Sequence, residues 1–180
     1  MFNIGIREIS RKAIHIFIII IPIFHIYIFK NKIDMIIFLA AMVIFCFFIE
    51  IFRNQNSLIS KFFAKYLSFM MRSFEKQGSL TGSTWVFLGS LITIILVPQP
   101  FSLLALFYLA FGDTLAALVG MKFPFIKIGN KTLSGSLACF ITCLFIGLIF
   151  DFEISSEIIL IGAFTATIVE LISIKINDNI

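Results

Sequence analysis

Asp113 is the residue hardest to place in an inert role. It lies inside the apolar run 101–120, after Gly112 and before Thr114, Ala116, Ala117 and Gly120. A carboxylate at that depth is costly against lipid, so it is expected to face the protein interior or a wet cavity. Small neighbours let helices approach and leave room for a ligand beside it. The stretch Gly129-Asn130-Lys131-Thr132-Leu133-Ser134-Gly135-Ser136 follows. Gly129 frees the backbone to turn. Lys131 brings a flexible cation. Thr132 and Ser134 offer hydroxyls, and the helix opening there presents unpaired N–H groups. These parts suit phosphate. The stretch is not a P-loop, because the first glycine of Gly-x4-Gly-Lys-Ser/Thr is missing. A membrane-edge turn with a snorkelling lysine is built from the same residues.

Other ionisable groups fall at a similar depth. Glu170 is near the end of the run 156–174, Glu50 near the end of the run 33–52, and His15 beside Arg11 and Lys12. Glu50 reaches the interface as readily as an interior site. His25 lies at the opposite end of the first run, where an interfacial role is expected. A further polar element, Glu75 to Thr84, reads as a loop with a Ser or Thr helix cap. Phosphoryl transfer needs positioning and charge neutralisation more than covalent help. Carboxylates suit Mg2+ or the proton of an attacking hydroxyl, and lysine with a helix N-terminus suits phosphate.

The elements that must carry these groups are apolar. The 180 residues are 60% hydrophobic, 24 of them Phe, with a mean hydropathy of +1.09. A domain of this size cannot hide so much apolar surface from water. The expected fold is an all-α polytopic transmembrane bundle forming one domain over 1–180. Six runs approach the ~20 apolar residues of a span: Ala13–Phe29, Ile33–Phe52, Ser83–Val97, Phe101–Gly120, Ser134–Phe150 and Ser156–Ile174. Between the second and third, Ser57–Phe74 places Lys61, Lys65 and Arg72 on one face, as an interfacial amphipathic helix does. A cytoplasmic extension of a spanning helix is the alternative.

The net charge of +4 falls in the connections. With the N-terminus cytoplasmic, the inner segments hold Arg7, Arg11, Lys12, Arg53, Lys61, Lys65, Arg72, Lys76, Lys122, Lys127, Lys131 and Lys175, and the outer ones only Lys30 and Lys32. This asymmetry sets the orientation and removes the need for a nucleic-acid partner. Asp113, Glu170, Glu50 and His15 then share the cytoplasmic half. Cys46, Cys139 and Cys143 lie in apolar runs without metal-ligand spacing, as small buried hydrophobes do. No cleavable signal peptide is expected, because the first run is long and Lys30-Asn31-Lys32 follows it.

At Phe111-Gly112-Asp113-Thr114-Leu115-Ala116-Ala117-Leu118-Val119-Gly120, Lys122-Phe123 and Gly129 through Ala138, the sequence resembles the dolichol kinase, phytol kinase and CTP-dependent diacylglycerol kinase group. Supporting matches are Glu8, Arg11-Lys12 and His15, then Leu80 to Thr84, then Glu170 with Asp178-Asn179. The resemblance implies transfer of a phosphoryl group from a nucleoside triphosphate, usually CTP, to a lipid hydroxyl, with Mg2+. It implies that Asp113, Lys131 and Glu170 are functional. The roles expected are metal binding or base for Asp113, and phosphate binding for Lys131 with Gly129, Thr132, Ser134 and Gly135. Arg11 and Lys12 would also hold phosphate, and Glu170 and Asp178 would be further metal or nucleotide contacts. Members of the group continue past the Asp-Asn pair with another apolar segment, whereas this sequence ends at Ile180. An absent helix, one from a partner protomer, and truncation all remain open.

The expected partners are therefore a membrane lipid alcohol, a nucleoside triphosphate and the bilayer, with a homo-oligomer left open. Two other readings compete: a CTP-dependent lipid cytidylyltransferase, and a non-enzymatic subunit or transporter. A transporter places polar groups near the midplane of broken helices; the one-sided clustering here argues against it. The Asp-Gly…Ala-Arg…Gly…Asp…Asp pattern of CDP-alcohol phosphotransferases is absent.

Overall fold

The computed structural model describes residues 16–55, 57–62, 65, 79–129, 131–150 and 153–172. Arg11, Lys12, His15 and Asp178, named above, lie outside them. The described chain is all-α apart from one two-residue ladder. Its helices are α1 (Ile20–Tyr27), α2 (Lys32–Gln55), α3 (Ser57–Phe62), α4 (Gly82–Leu96), α5 (Phe101–Phe107), α6 (Asp113–Lys122), α7 (Leu133–Ile149) and α8 (Ser156–Leu171). A π turn, Tyr108–Gly112, joins α5 to α6 without a break. Strands β1 (Lys127–Ile128) and β2 (Lys131–Thr132) pair antiparallel between α6 and α7.

The run expected as one helix from Ala13 to Phe29 is interrupted. Pro22 has no N–H for the carbonyl of Ile18, four residues back. That carbonyl instead accepts from Ile21 N at 2.9 Å, and Ile16 O accepts from Ile19 N at 3.0 Å, so the chain tightens before α1 begins. Two segments, Lys32–Gln55 and Phe101–Lys122, have the length and apolarity to cross a membrane. The remaining apolar helices are shorter: α4 has 15 residues, α7 has 17 and α8 has 16. Of the amphipathic segment, α3 is the helical part described.

Segment 101–122 is the wall between two cores. On one side Leu106 and Ala110 join Ile18, Ile21, Met35, Leu39, Val86 and Ile94. On the other, Leu104, Phe107, Tyr108 and Ala116 join Cys139, Cys143, Ile146 and Ala163. In contrast, α2 buries Met35, Leu39 and Val43 along one stripe and leaves Ile37, Ile44, Phe45, Phe48 and Ile51 exposed, as a lipid-facing helix does. His25, expected at the interface, is buried among protein groups. Its Nδ1 meets Phe29 O at 2.8 Å and its Nε2 meets the Gln99 amide. Lys32 Nζ donates to Ile95 O at 3.0 Å nearby in sequence to that pair.

Candidate functional site

The ladder exists because Gly129 turns the chain at φ +60°, a left-handed conformation open to glycine. Lys127 then faces Thr132 and Ile128 faces Lys131. Ser134 closes the loop at its base. Its hydroxyl donates to Phe123 O at 2.6 Å and accepts from Phe125 N at 3.4 Å. Thr132 is the N-cap of α7, its Oγ1 accepting from Gly135 N at 3.2 Å. The hydroxyls expected to meet phosphate thus build the turn that carries Lys131.

From this turn Lys131 reaches the end of α8. Its Nζ donates to Glu170 Oε1 at 2.7 Å. Ser136, one turn into α7, lies beside the pair, with its Oγ 3.5 Å from Glu170 Oε2 and 3.3 Å from Thr132 O. The Glu170 side chain is 9% exposed and that of Lys131 27%, so the pair sits at the rim of the protein rather than in open solvent.

Helix α7 is the post on which the site is assembled. Its inward face carries Ser136, Cys139, Cys143 and Gly147, all small and buried. Cys139 and Cys143, one turn apart on that face, are buried in the core shared with Ala116 of α6 and Ala163 of α8. Gly112 packs against the same pair: a Cβ there would lie 2.8 Å from Cys143 Sγ and 3.2 Å from Cys139 Sγ. Asp113, half-buried, follows at the first position of α6. Towards the other end of α6, a Cβ on Gly135 would lie 2.7 Å from Ala116 O, and one on Gly120 would lie 2.6 Å from Thr132 Oγ1. The small residues of the 112–135 block are where two helices touch backbone to backbone. The π turn lies against the same helices. Tyr108 wedges against Gly147 and Gly162 and reaches Ile159 O at 3.4 Å, and the wider turn rotates Asp113 relative to α5.

A second polar cluster was not legible as such. Glu50, read above as equally suited to the interface, is buried. Arg53 Nη2 lies 2.8 Å from Glu50 Oε2 and donates to Ser79 O at 2.7 Å. Thr81 N and Thr84 Oγ1 donate to Glu50 Oε1 at 2.8 and 3.2 Å. The carboxylate therefore serves the N-terminus of α4 from another helix, where the helix dipole favours negative charge; Thr81, the N-cap, makes no side-chain cap bond of its own. The i,i+3 spacing of Glu50 and Arg53 was the available signal. It did not reveal the loop on which they close.

Among the described residues, no three His, Cys, Asp or Glu side chains converge. Asp113 and Glu170 are the carboxylates set around α7.

No family model matches the chain, and no solved structure matches it. Uncharacterized protein RP860 of Rickettsia prowazekii is 32% identical over 96% of this chain and 88% of its own length. The chain belongs to the family of that protein. Uncharacterized protein MJ1137 of Methanocaldococcus jannaschii is similar at 29% identity, over 97% of this chain and 87% of its own. The chain is also similar to CTP-dependent diacylglycerol kinase 1 of Saccharomyces cerevisiae, at 29% identity over 147 residues. That match takes in 76% of this chain and about half of the yeast protein, 49%.

Proposed function

We propose that this protein is a lipid alcohol kinase, transferring a phosphoryl group from CTP or another nucleoside triphosphate to a membrane lipid hydroxyl at the cytoplasmic face. The observation that carries the reading is the Lys131–Glu170 contact, made between the hairpin and the end of α8 beside Ser136 of α7, the helix against which Gly112, the neighbour of Asp113, also packs. The partial likeness to a CTP-dependent diacylglycerol kinase supports it. In this reading the chain is one domain of six spans with its N-terminus inside. The loops at Ser79–Gly82 and Phe123–Thr132 then open on one side, where most of the cations lie.

Asp113 is proposed either to take the proton of the attacking hydroxyl or to bind the metal. Lys131 holds the transferring phosphate, leaving Glu170 as its partner in the resting site. Arg11, Lys12 and Asp178 are proposed as further nucleotide contacts. Asp113 and Glu170 would be the carboxylates to hold Mg2+, which takes one or two carboxylates together with substrate phosphates and water. When bound it supplies charge neutralisation at the phosphates. Gly129, Thr132, Ser134 and Gly135 act by shaping the turn that presents Lys131.

The test is phosphoryl transfer in detergent, with labelled CTP or ATP offered against polyprenols, phytol and diacylglycerol. Label in the lipid phase, lost in Asp113→Asn and Lys131→Ala, is the expected result. Release of pyrophosphate with formation of CDP-lipid would replace this reading by a cytidylyltransferase.

A further inference from the structure

The hairpin that carries Lys131 has an outer surface that the proposed chemistry does not use. Phe123 is 60% exposed, Phe125 65%, Ile126 55% and Ile128 40%. Elsewhere among the described residues most exposed apolar side chains lie along helix faces. Here they crowd one connection outside the helices, in a loop held rigid by Ser134 and by Leu133 N donating to Ile126 O at 2.9 Å. Ile126 is held at φ +43°, a region unfavourable for a β-branched residue, with its side chain turned outward. Facing water, such side chains would forgo the stabilisation of burial.

The charges identify what covers this surface. Lys122 and Lys127, both exposed, flank the apolar residues, and the sequence from 121 to 136 contains no Asp or Glu. Lys122 lies over the ring of Phe123, 5.3 Å from its centroid. Cations alternating with aromatic and branched apolar side chains match the headgroup zone of an anionic leaflet. There the rings enter the acyl boundary and each lysine is attracted to the anionic headgroups. We infer that the 123–128 arm of the hairpin is seated in the anionic headgroup layer, as an interfacial anchor that sets the depth of Lys131. The anchor and the snorkelling turn are then one device: the outward side chains fix the height of the loop, and Lys131 turns inward to Glu170.

The inference concerns depth and lipid charge, so it is tested without turnover and stands or falls apart from the kinase reading. The chain has a single tryptophan, Trp85. Trp85→Phe/Phe125→Trp moves the reporter to the arm, and Trp85→Phe/Ile128→Trp gives a second one should the first fold poorly. Each full-length variant is reconstituted in vesicles of phosphatidylcholine with or without phosphatidylglycerol, their acyl chains brominated near the headgroup. Expected are a blue-shifted emission and loss of intensity to the brominated lipid, deepest with phosphatidylglycerol. Lys122→Gln/Lys127→Gln should remove that dependence on lipid charge. Water-like emission quenched by aqueous iodide, or quenching equal in both vesicle types, overturns the inference.

Discussion

Lys131 and Glu170, thirty-nine positions apart in sequence, meet at 2.7 Å beside the Ser136 hydroxyl. The pair joins the hairpin to the end of α8 and is one-quarter exposed on the lysine side. At such exposure its net contribution to stability is about 1 kcal/mol or less. Under the proposed function its effect on phosphoryl transfer is of another order, because a positioned cation acts where charge gathers in the transition state. Lys131→Met is expected to lower turnover on the order of a hundredfold or more, with little change in thermal unfolding in detergent. A variant that unfolds several degrees earlier yet keeps its turnover would assign the pair to structure alone.

Of the three glycines around the turn, Gly135 should be the costliest to replace. Gly135→Ala places a Cβ 2.7 Å from the backbone oxygen of Ala116, which cannot yield without parting α6 from α7. Its cost is about 1–3 kcal/mol. Gly120→Ala meets only the Thr132 hydroxyl, at 2.6 Å, and the loss is that of the α7 cap, about 1 kcal/mol. Gly129→Ala enters open space and bears only the penalty of φ +60°, roughly 1 kcal/mol, much of which Gly129→Asn recovers. Thermal unfolding of the three alanine variants checks this, and an equal cost at Gly129 and Gly135 contradicts it.

The parts of the fold legible in the sequence were those with long apolar runs. The ends of α4, α7 and α8 lie within a few residues of the expected Ser83–Val97, Ser134–Phe150 and Ser156–Ile174, because loop polarity and Pro98 punctuate them. The interruption before α1 follows from Pro22, which the apolar count ignores. The ladder was hidden because two-residue strands have no period to read. The π turn has no period of its own to read, and Tyr108 within it lies against Gly147 and Gly162, thirty-nine and fifty-four residues further on. Within the site, side-chain type marked Asp113, Lys131 and Glu170 as unusual. It could not say that Thr132 and Ser134 are occupied in building the turn, nor that Cys139 stands between α6 and α8.

Buried charge at Glu50 and Arg53 gives a prediction of the opposite kind, large in stability. Both side chains are almost fully enclosed, at 5% and 6% exposure. Arg53→Met leaves the Glu50 carboxylate with the Thr81 amide and the Thr84 hydroxyl but without its counter-charge. Breaking a buried pair in this way costs about 3–5 kcal/mol. The double variant Glu50→Leu/Arg53→Met removes both charges and should recover part of the loss. Denaturation of the two single variants and the double variant closes the cycle; strictly additive costs would mean that the two residues do not act as a pair.

Ser134 and Thr132 separate the shape of the turn from the chemistry it presents. Ser134→Ala removes the bond to Phe123 O and the acceptor for Phe125 N, so the base of the hairpin opens at a cost of about 1 kcal/mol. Thr132→Ala removes the cap on Gly135 N at a similar cost, whereas Thr132→Ser keeps it. Neither hydroxyl needs to touch substrate for its loss to matter, since Lys131 lies between them and the loop tip. Both alanine variants should therefore speed tryptic cleavage after Lys127 and lower turnover together, while Thr132→Ser leaves both near the parent values. If Thr132→Ser kept the slow cleavage but lost turnover as Thr132→Ala does, the hydroxyl would belong to the substrate site itself and not to the scaffold beneath it.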